Sequence, residues 1–150
     1  MKLLKLYSWI TGTMADFAKP FSDNKALYNQ ARGFWNKLDN VSIVIVIIFL
    51  VFGIALAAYY YTQYNEKPGR RYTPKHWAII LLVTILLTFF VTLGFEYWSV
   101  KPKFDGAFML EVKVAAANAL YAAGLYLLTS FVWCNFGFRT NAYRFLKLKK

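Results

Sequence analysis

The stretch WAIILLVTILLTFFVTLGFEYW, Trp77 to Trp98, decides how the rest of the chain is read. It runs for about 22 residues with one charge, Glu96, and a helix needs about 20 apolar residues to cross roughly 30 Å of hydrocarbon. Its polar side chains are ordered. Thr84, Thr88, Thr92 and Glu96 recur every four residues, which on an α-helix places them on one slowly winding face. A membrane helix must turn such a face to protein or to water. A threonine can return its hydroxyl to the carbonyl one turn earlier, so two would need no further explanation. Three in register, followed by a carboxylate at the next step, point to a shared interface.

Composition agrees with a membrane protein. Of 150 residues, 59% are hydrophobic and mean hydropathy is +0.38, too apolar for an ordinary soluble domain of this length. Aromatic residues reach 20% and gather near the ends of the apolar runs, where Trp and Tyr favour the headgroup level. The net charge of +11 fits attraction to anionic lipid headgroups better than it fits nucleic acid. The single cysteine, Cys134, permits no intrachain disulfide and reads as a small buried hydrophobe.

Two further runs are long enough to span. Residues 41–62 carry no charge, and Gly53 with Ala57 forms a small-residue pair able to admit a close helix neighbour. Residues 107–136 exceed one span. Glu111 and Lys113 lie in the first two turns, so the third span is expected over 114–136. There Ala115, Ala119 and Ala123 repeat at i+4 for close backbone approach, and Asn118 needs hydrogen-bond partners in hydrocarbon. The spans 77–98 and 114–136 are expected to form an inner pair with 41–62 outside. The threonine face is expected at a homo-oligomer axis, because three spans are too few to enclose a polar channel.

Ahead of the spans, residues 1–40 read as one or two amphipathic interfacial helices. Leu3, Leu6, Ile10, Met14 and Phe17 form one stripe, ended by Pro20. Ser22 or Asp23 is the expected cap of a second helix, with the stripe Leu27, Ala31, Phe34, Trp35 and Leu38. Packing of that second stripe on the protein's own bundle competes evenly with lipid binding. The first segment is too interrupted for a cleaved signal peptide.

The 64–76 loop carries Lys67, Arg70, Arg71 and Lys75, and the 137–150 tail interleaves Arg139, Arg144 and Lys147 with aromatic residues. These are candidate sites for anionic lipid or an anionic nucleotide ligand. Their density relative to the other flanks favours a cytoplasmic C-terminus. His76 reads as an interfacial side chain.

No phosphate-loop, dinucleotide, zinc-protease or serine-hydrolase motif is present, and one His with one Cys cannot form the usual zinc site. No catalytic residue, metal or cofactor is expected. Glu96 and Glu111 are the only carboxylates at or within spans; a structural charge pair with Lys113 is weighed against the mouth of an ion pathway. The expected protein is therefore an all-α, three-span, homo-oligomeric membrane protein of a bacterial inner-membrane type, acting as a channel or pore-forming subunit. The alternatives are a non-conducting scaffold or accessory subunit bound to a membrane partner protein and, third, a transporter.

Overall fold

A computed structural model describes residues 3–65, 74–104, 106–136, 140 and 142–148. Among them every regular element is helical. The elements are a 3-10 turn at Leu4–Tyr7, α1 (Ser8–Thr11), α2 (Met14–Ala18), a 3-10 turn at Lys19–Phe21, α3 (Lys25–Tyr59), a π-helical turn at Tyr60–Tyr64, α4 (Pro74–Ser99) and α5 (Ala107–Asn135). Three helices, Lys25–Tyr64 with its π-turn, α4 and α5, are long and apolar enough to cross a membrane, as a multi-pass membrane protein requires.

The first long helix begins earlier than the apolar run. Its cap is Asn24, not Ser22 or Asp23: Asn24 Oδ1 accepts from the amides of Ala26 at 3.0 Å and Leu27 at 3.3 Å. No break separates the amphipathic stretch from the span, although Asp39, Asn40 and Ser42 suggest one. Asp39 Oδ1 accepts the amide of Leu4 at 3.1 Å, and Ser42 Oγ accepts that of Leu3 while donating to the Asp39 carbonyl at 2.6 Å. With their polar groups satisfied by the N-terminal backbone, these residues stay helical.

The chain divides into two compact units, and each long helix contributes a segment to both. The first unit comprises residues 1–48 and 89–118. Its N-terminal segment is not one amphipathic helix. Gly12, with φ of 73°, breaks it into α1 and α2, and Thr13 caps α2 in a reciprocal box with Asp16. The expected stripe fails for that reason. Leu4, Tyr7, Thr11 and Ala18 are the buried residues, whereas Leu6 and Trp9 are exposed. On α3 four of the five residues of the expected stripe pack inside the unit, Ala31, Phe34, Trp35 and Leu38, whereas Leu27 is exposed. Phe104, in the α4–α5 connection, stands edge-on to Phe17, Phe21 and Phe34 at centroid distances of 6.0, 5.4 and 5.6 Å.

The second unit comprises residues 49–88 and 119–150. Its core gathers Ala57, Tyr60, Tyr61, Trp77, Ile80, Tyr126, Cys134 and Ala142. Gly53 lets α3 approach α5: a Cβ there would lie 2.9 Å from Leu125 Cβ and 3.0 Å from the Ala122 carbonyl oxygen. Trp77 Nε1 donates to Ser130 Oγ at 3.2 Å, and the Tyr126 hydroxyl donates to the Trp77 carbonyl at 3.3 Å, tying α4 to α5. The tail folds back. Asn135 Nδ2 donates to the Leu146 carbonyl, Asn135 Oδ1 accepts the Leu148 amide, both at 2.9 Å, and Phe145 packs on Trp77.

These contacts correct the expected helix arrangement. Residues 41–62 are not outside an inner pair. In the first unit Asn118 Nδ2 bonds the Ile45 carbonyl at 3.0 Å, and in the second Gly53 meets Ala122 and Leu125. The central helix is α5, whose most apolar window is 44% buried against 22% in each of the other two. A helix this rich in alanine can be approached closely from several directions, so it takes the middle place.

Candidate functional site

The candidate site is in the first unit, where the α4–α5 connection brings two carboxylates together. Glu96 occupies the last turns of α4, and its carbonyl accepts the Val100 amide at 3.0 Å. Glu111 lies one turn into α5. Between them the chain turns sharply: the Phe104 carbonyl accepts the Ala107 amide at 3.1 Å, and Gly106 takes a φ of 95°. Both carboxylates are fully buried.

Lys103 reaches into this pair from the connection. Its ammonium forms an ion pair with Glu111 Oε1 and lies 3.4 Å from the Glu96 carbonyl oxygen. It also sits 5.4 Å over the Phe34 ring and 5.0 Å over the Tyr97 ring, which favours a cation. The Lys103 side chain keeps 30% of its surface exposed while Glu111 keeps 1%. A cavity of about 290 Å³, lined by residues including Gln30, Phe34, Lys37, Pro102 and Lys103, adjoins the ammonium. Burial leaves three oxygens without a partner among the described residues: Glu96 Oε1, Glu96 Oε2 and Glu111 Oε2. Leaving an ionised carboxylate buried and unpaired costs on the order of several kcal/mol.

Lys113, the expected partner of the pair, is elsewhere. Two positions along a helix point to different faces, so Lys113 cannot follow Glu111 inward. It is exposed and lines a separate cavity of about 420 Å³ with Ile10, Asp16, Phe21 and Leu110. Lys103 carried a signal that composition alone obscured: a short connection between two carboxylate-bearing helix ends gives its lysine side chain reach to both.

The threonine face is buried inside a single chain. Thr84, Thr88, Thr92 and Glu96 have no exposed surface, so they do not line an axis between copies. Thr84 returns its hydroxyl to the Ile80 carbonyl at 2.8 Å. Thr92 Oγ1 accepts from Asn118 Nδ2 at 2.7 Å, and Thr88 Oγ1 has no partner among the described residues. Asn118 also accepts from the Tyr7 hydroxyl at 2.8 Å. Tyr7 was off the expected N-terminal stripe, which concealed its role.

Of the small residues expected at helix contacts, Gly53, Ala57, Ala115 and Ala119 are buried, and Ala123 is half-buried. Of the basic residues, Lys67, Arg70, Arg71 and Arg139 lie outside the described residues. Lys75 and Lys147 are exposed and Arg144 is half-buried. The Trp77–Phe145 contact brings Lys75 and Arg144 to one end of the second unit. Cys134 is buried there, 3.3 Å from the Tyr61 hydroxyl. No group of three or more His, Cys, Asp and Glu side chains able to hold a metal occurs among the described residues. In comparisons with known proteins the chain matches no family model, no curated protein and no solved structure.

Proposed function

We propose that this chain is a multi-pass membrane protein that takes a small cation onto the buried Glu96–Glu111 pair, as the binding step of an ion-permeation function. The observation that carries this reading is the pair itself: of two buried carboxylates beside one lysine, Glu111 takes the ammonium, and both Glu96 carboxylate oxygens lack a partner among the described residues. Buried ionisable groups at the ends of spans are costly to retain, and ionisable groups within membrane segments mark ion pathways and proton relays. The half-exposed Lys103 beside the cavity supplies an entrance from water.

The test is ion flux in proteoliposomes made with purified protein. Wild type is expected to dissipate an imposed cation gradient, Glu96→Gln to lose that activity, and Lys113→Met, altered outside the pair, to retain it. Flux unchanged in Glu96→Gln rejects the assignment. No flux from correctly folded wild type would move the protein to the accessory-subunit class.

A further inference from the structure

The identity of the bound ion follows from how many oxygen ligands and charges the pocket offers. Hard metal cations take about six or more oxygen ligands. Among the described residues the unpartnered buried carboxylate oxygens number three, Glu96 Oε1 and Oε2 and Glu111 Oε2. One turn back on the same face of α4, the Thr92 hydroxyl is engaged by Asn118. No third carboxylate joins the pair in a metal-holding group among the described residues. A proton asks much less, since one carboxyl oxygen carries it and a second accepts the hydrogen bond.

Charge leads to the same ion. The Lys103 ammonium is already paired with Glu111 Oε1, which leaves the Glu96 carboxylate without a counter-charge among the described residues. One proton makes the set of Lys103, Glu111 and Glu96 electrically neutral. The ion pair decides which carboxyl carries it: Lys103 holds Glu111 ionised, whereas Glu96 lies in the last turn of α4, where a negative charge is disfavoured. The groups facing Glu96 are Glu111 from α5 and Lys103 from the connection.

We infer that the ion bound at this pair is a single proton, carried by the Glu96 carboxyl, and that Lys103 holds the number at one by neutralising Glu111. The inference rests on the pair being an ion site, and it names the ion. The proton enters from water beside the half-exposed ammonium and leaves by the same face or onward through the protein. Lys103 is a positioning residue, because it acts on Glu96 through its ion pair with Glu111.

Infrared spectroscopy of the full chain in lipid nanodiscs, which needs no flux, tests the assignment. At neutral pH wild type is expected to show the carbonyl stretch of a protonated carboxyl, lost in Glu96→Gln with helical circular dichroism preserved. If Glu96→Gln fails to fold, Glu111→Gln serves: Lys103 is then free to pair with Glu96, and the band is again lost. Lys103→Met leaves two carboxyls without a counter-charge and is expected to roughly double the band. Absence of the band from wild type overturns the inference, as does its persistence in Glu96→Gln or carboxylate bands shifted by added sodium or potassium. A sodium or potassium flux without the band would remove the proton and leave the permeation reading standing. The band behaving as expected without any flux would support the proton site while removing permeation.

Discussion

The side-chain amide of Asn118 donates to Thr92 Oγ1 at 2.7 Å, so the buried asparagine of α5 is bonded to the threonine face on α4. The same amide group donates to the Ile45 carbonyl at 3.0 Å, and its oxygen accepts the Tyr7 hydroxyl at 2.8 Å. Asn118 thereby joins α3, α4 and the N-terminal segment to α5 within the first unit. Interhelical hydrogen bonds in membrane proteins contribute about 0.6 kcal/mol on average. Asn118→Leu removes three at once and is expected to cost about 2 kcal/mol, whereas Tyr7→Phe costs roughly a third of that. Unfolding in mixed lipid and denaturing-detergent micelles measures both. Equal effects would show that Asn118 is not the hub.

The threonines separate by partner. Thr92→Val leaves one Asn118 N–H without an acceptor and is expected to cost about 1 kcal/mol or slightly more. Thr88→Val removes a buried hydroxyl that has no partner among the described residues. It is expected to be neutral or mildly stabilising, because nothing is lost and the desolvation of a hydroxyl is relieved. The same unfolding assay distinguishes them. A Thr88→Val cost matching that of Thr92→Val would mean that Thr88 has a partner of its own.

Glycines test the α3–α5 approach in the second unit. Gly53→Val places atoms against Leu125 Cβ and the Ala122 carbonyl and is expected to destabilise by about 1–3 kcal/mol. Gly124→Ala faces open space and is expected to change stability by less than about 0.5 kcal/mol. Comparable losses would place the close contact elsewhere on α5.

The N-terminal segment should respond to acid. Hydrogen bonds from the Thr13 hydroxyl and then its backbone amide hold Asp16 below its ordinary value of 3.8. A carboxyl lowered in the folded state adds stability that is present above its unfolded value. That contribution is lost as pH falls through the folded one. Protection of the α2 amides, taken relative to their intrinsic exchange rate at each pH, should therefore be constant above about pH 4 and fall below 3.8. Asp16→Asn should remove the pH step, and its survival there would assign the step to another group.

In the second unit Asn135 clamps the tail. Asn135→Ala removes both its bond to the Leu146 carbonyl and its acceptance of the Leu148 amide. Limited trypsin digestion at Arg144 and Lys147 is expected to quicken several-fold, by release of two hydrogen bonds of about 1 kcal/mol each. An unchanged digestion rate would mean that the Trp77–Phe145 contact suffices to hold the tail.

Membrane class was legible in the sequence, because length and apolar composition are local properties that no packing partner alters. Trp77–Trp98 reads as a span with an ordered polar face from spacing alone, and α4 covers it from Pro74 to Ser99. Cys134 was likewise identifiable as buried, whereas the stripe containing Ala31 and Leu38 was open between lipid and the protein's own interior until the fold buried it. What a face packs against is a different matter, because it depends on residues distant along the chain. Thr92 meets Asn118 across 26 positions, Tyr7 meets Asn118 across 111, and Asn118 meets Ile45 across 73. An unsatisfied amide in hydrocarbon takes whichever partners the fold supplies, and here they belong to the same chain. The tertiary structure therefore decided that the threonine face is internal, that α5 is central, and that Lys103 rather than Lys113 neutralises Glu111. Each follows from reach: a connection too short to keep Glu96 and Glu111 apart places Lys103 between them and leaves Lys113 on the outer face of α5.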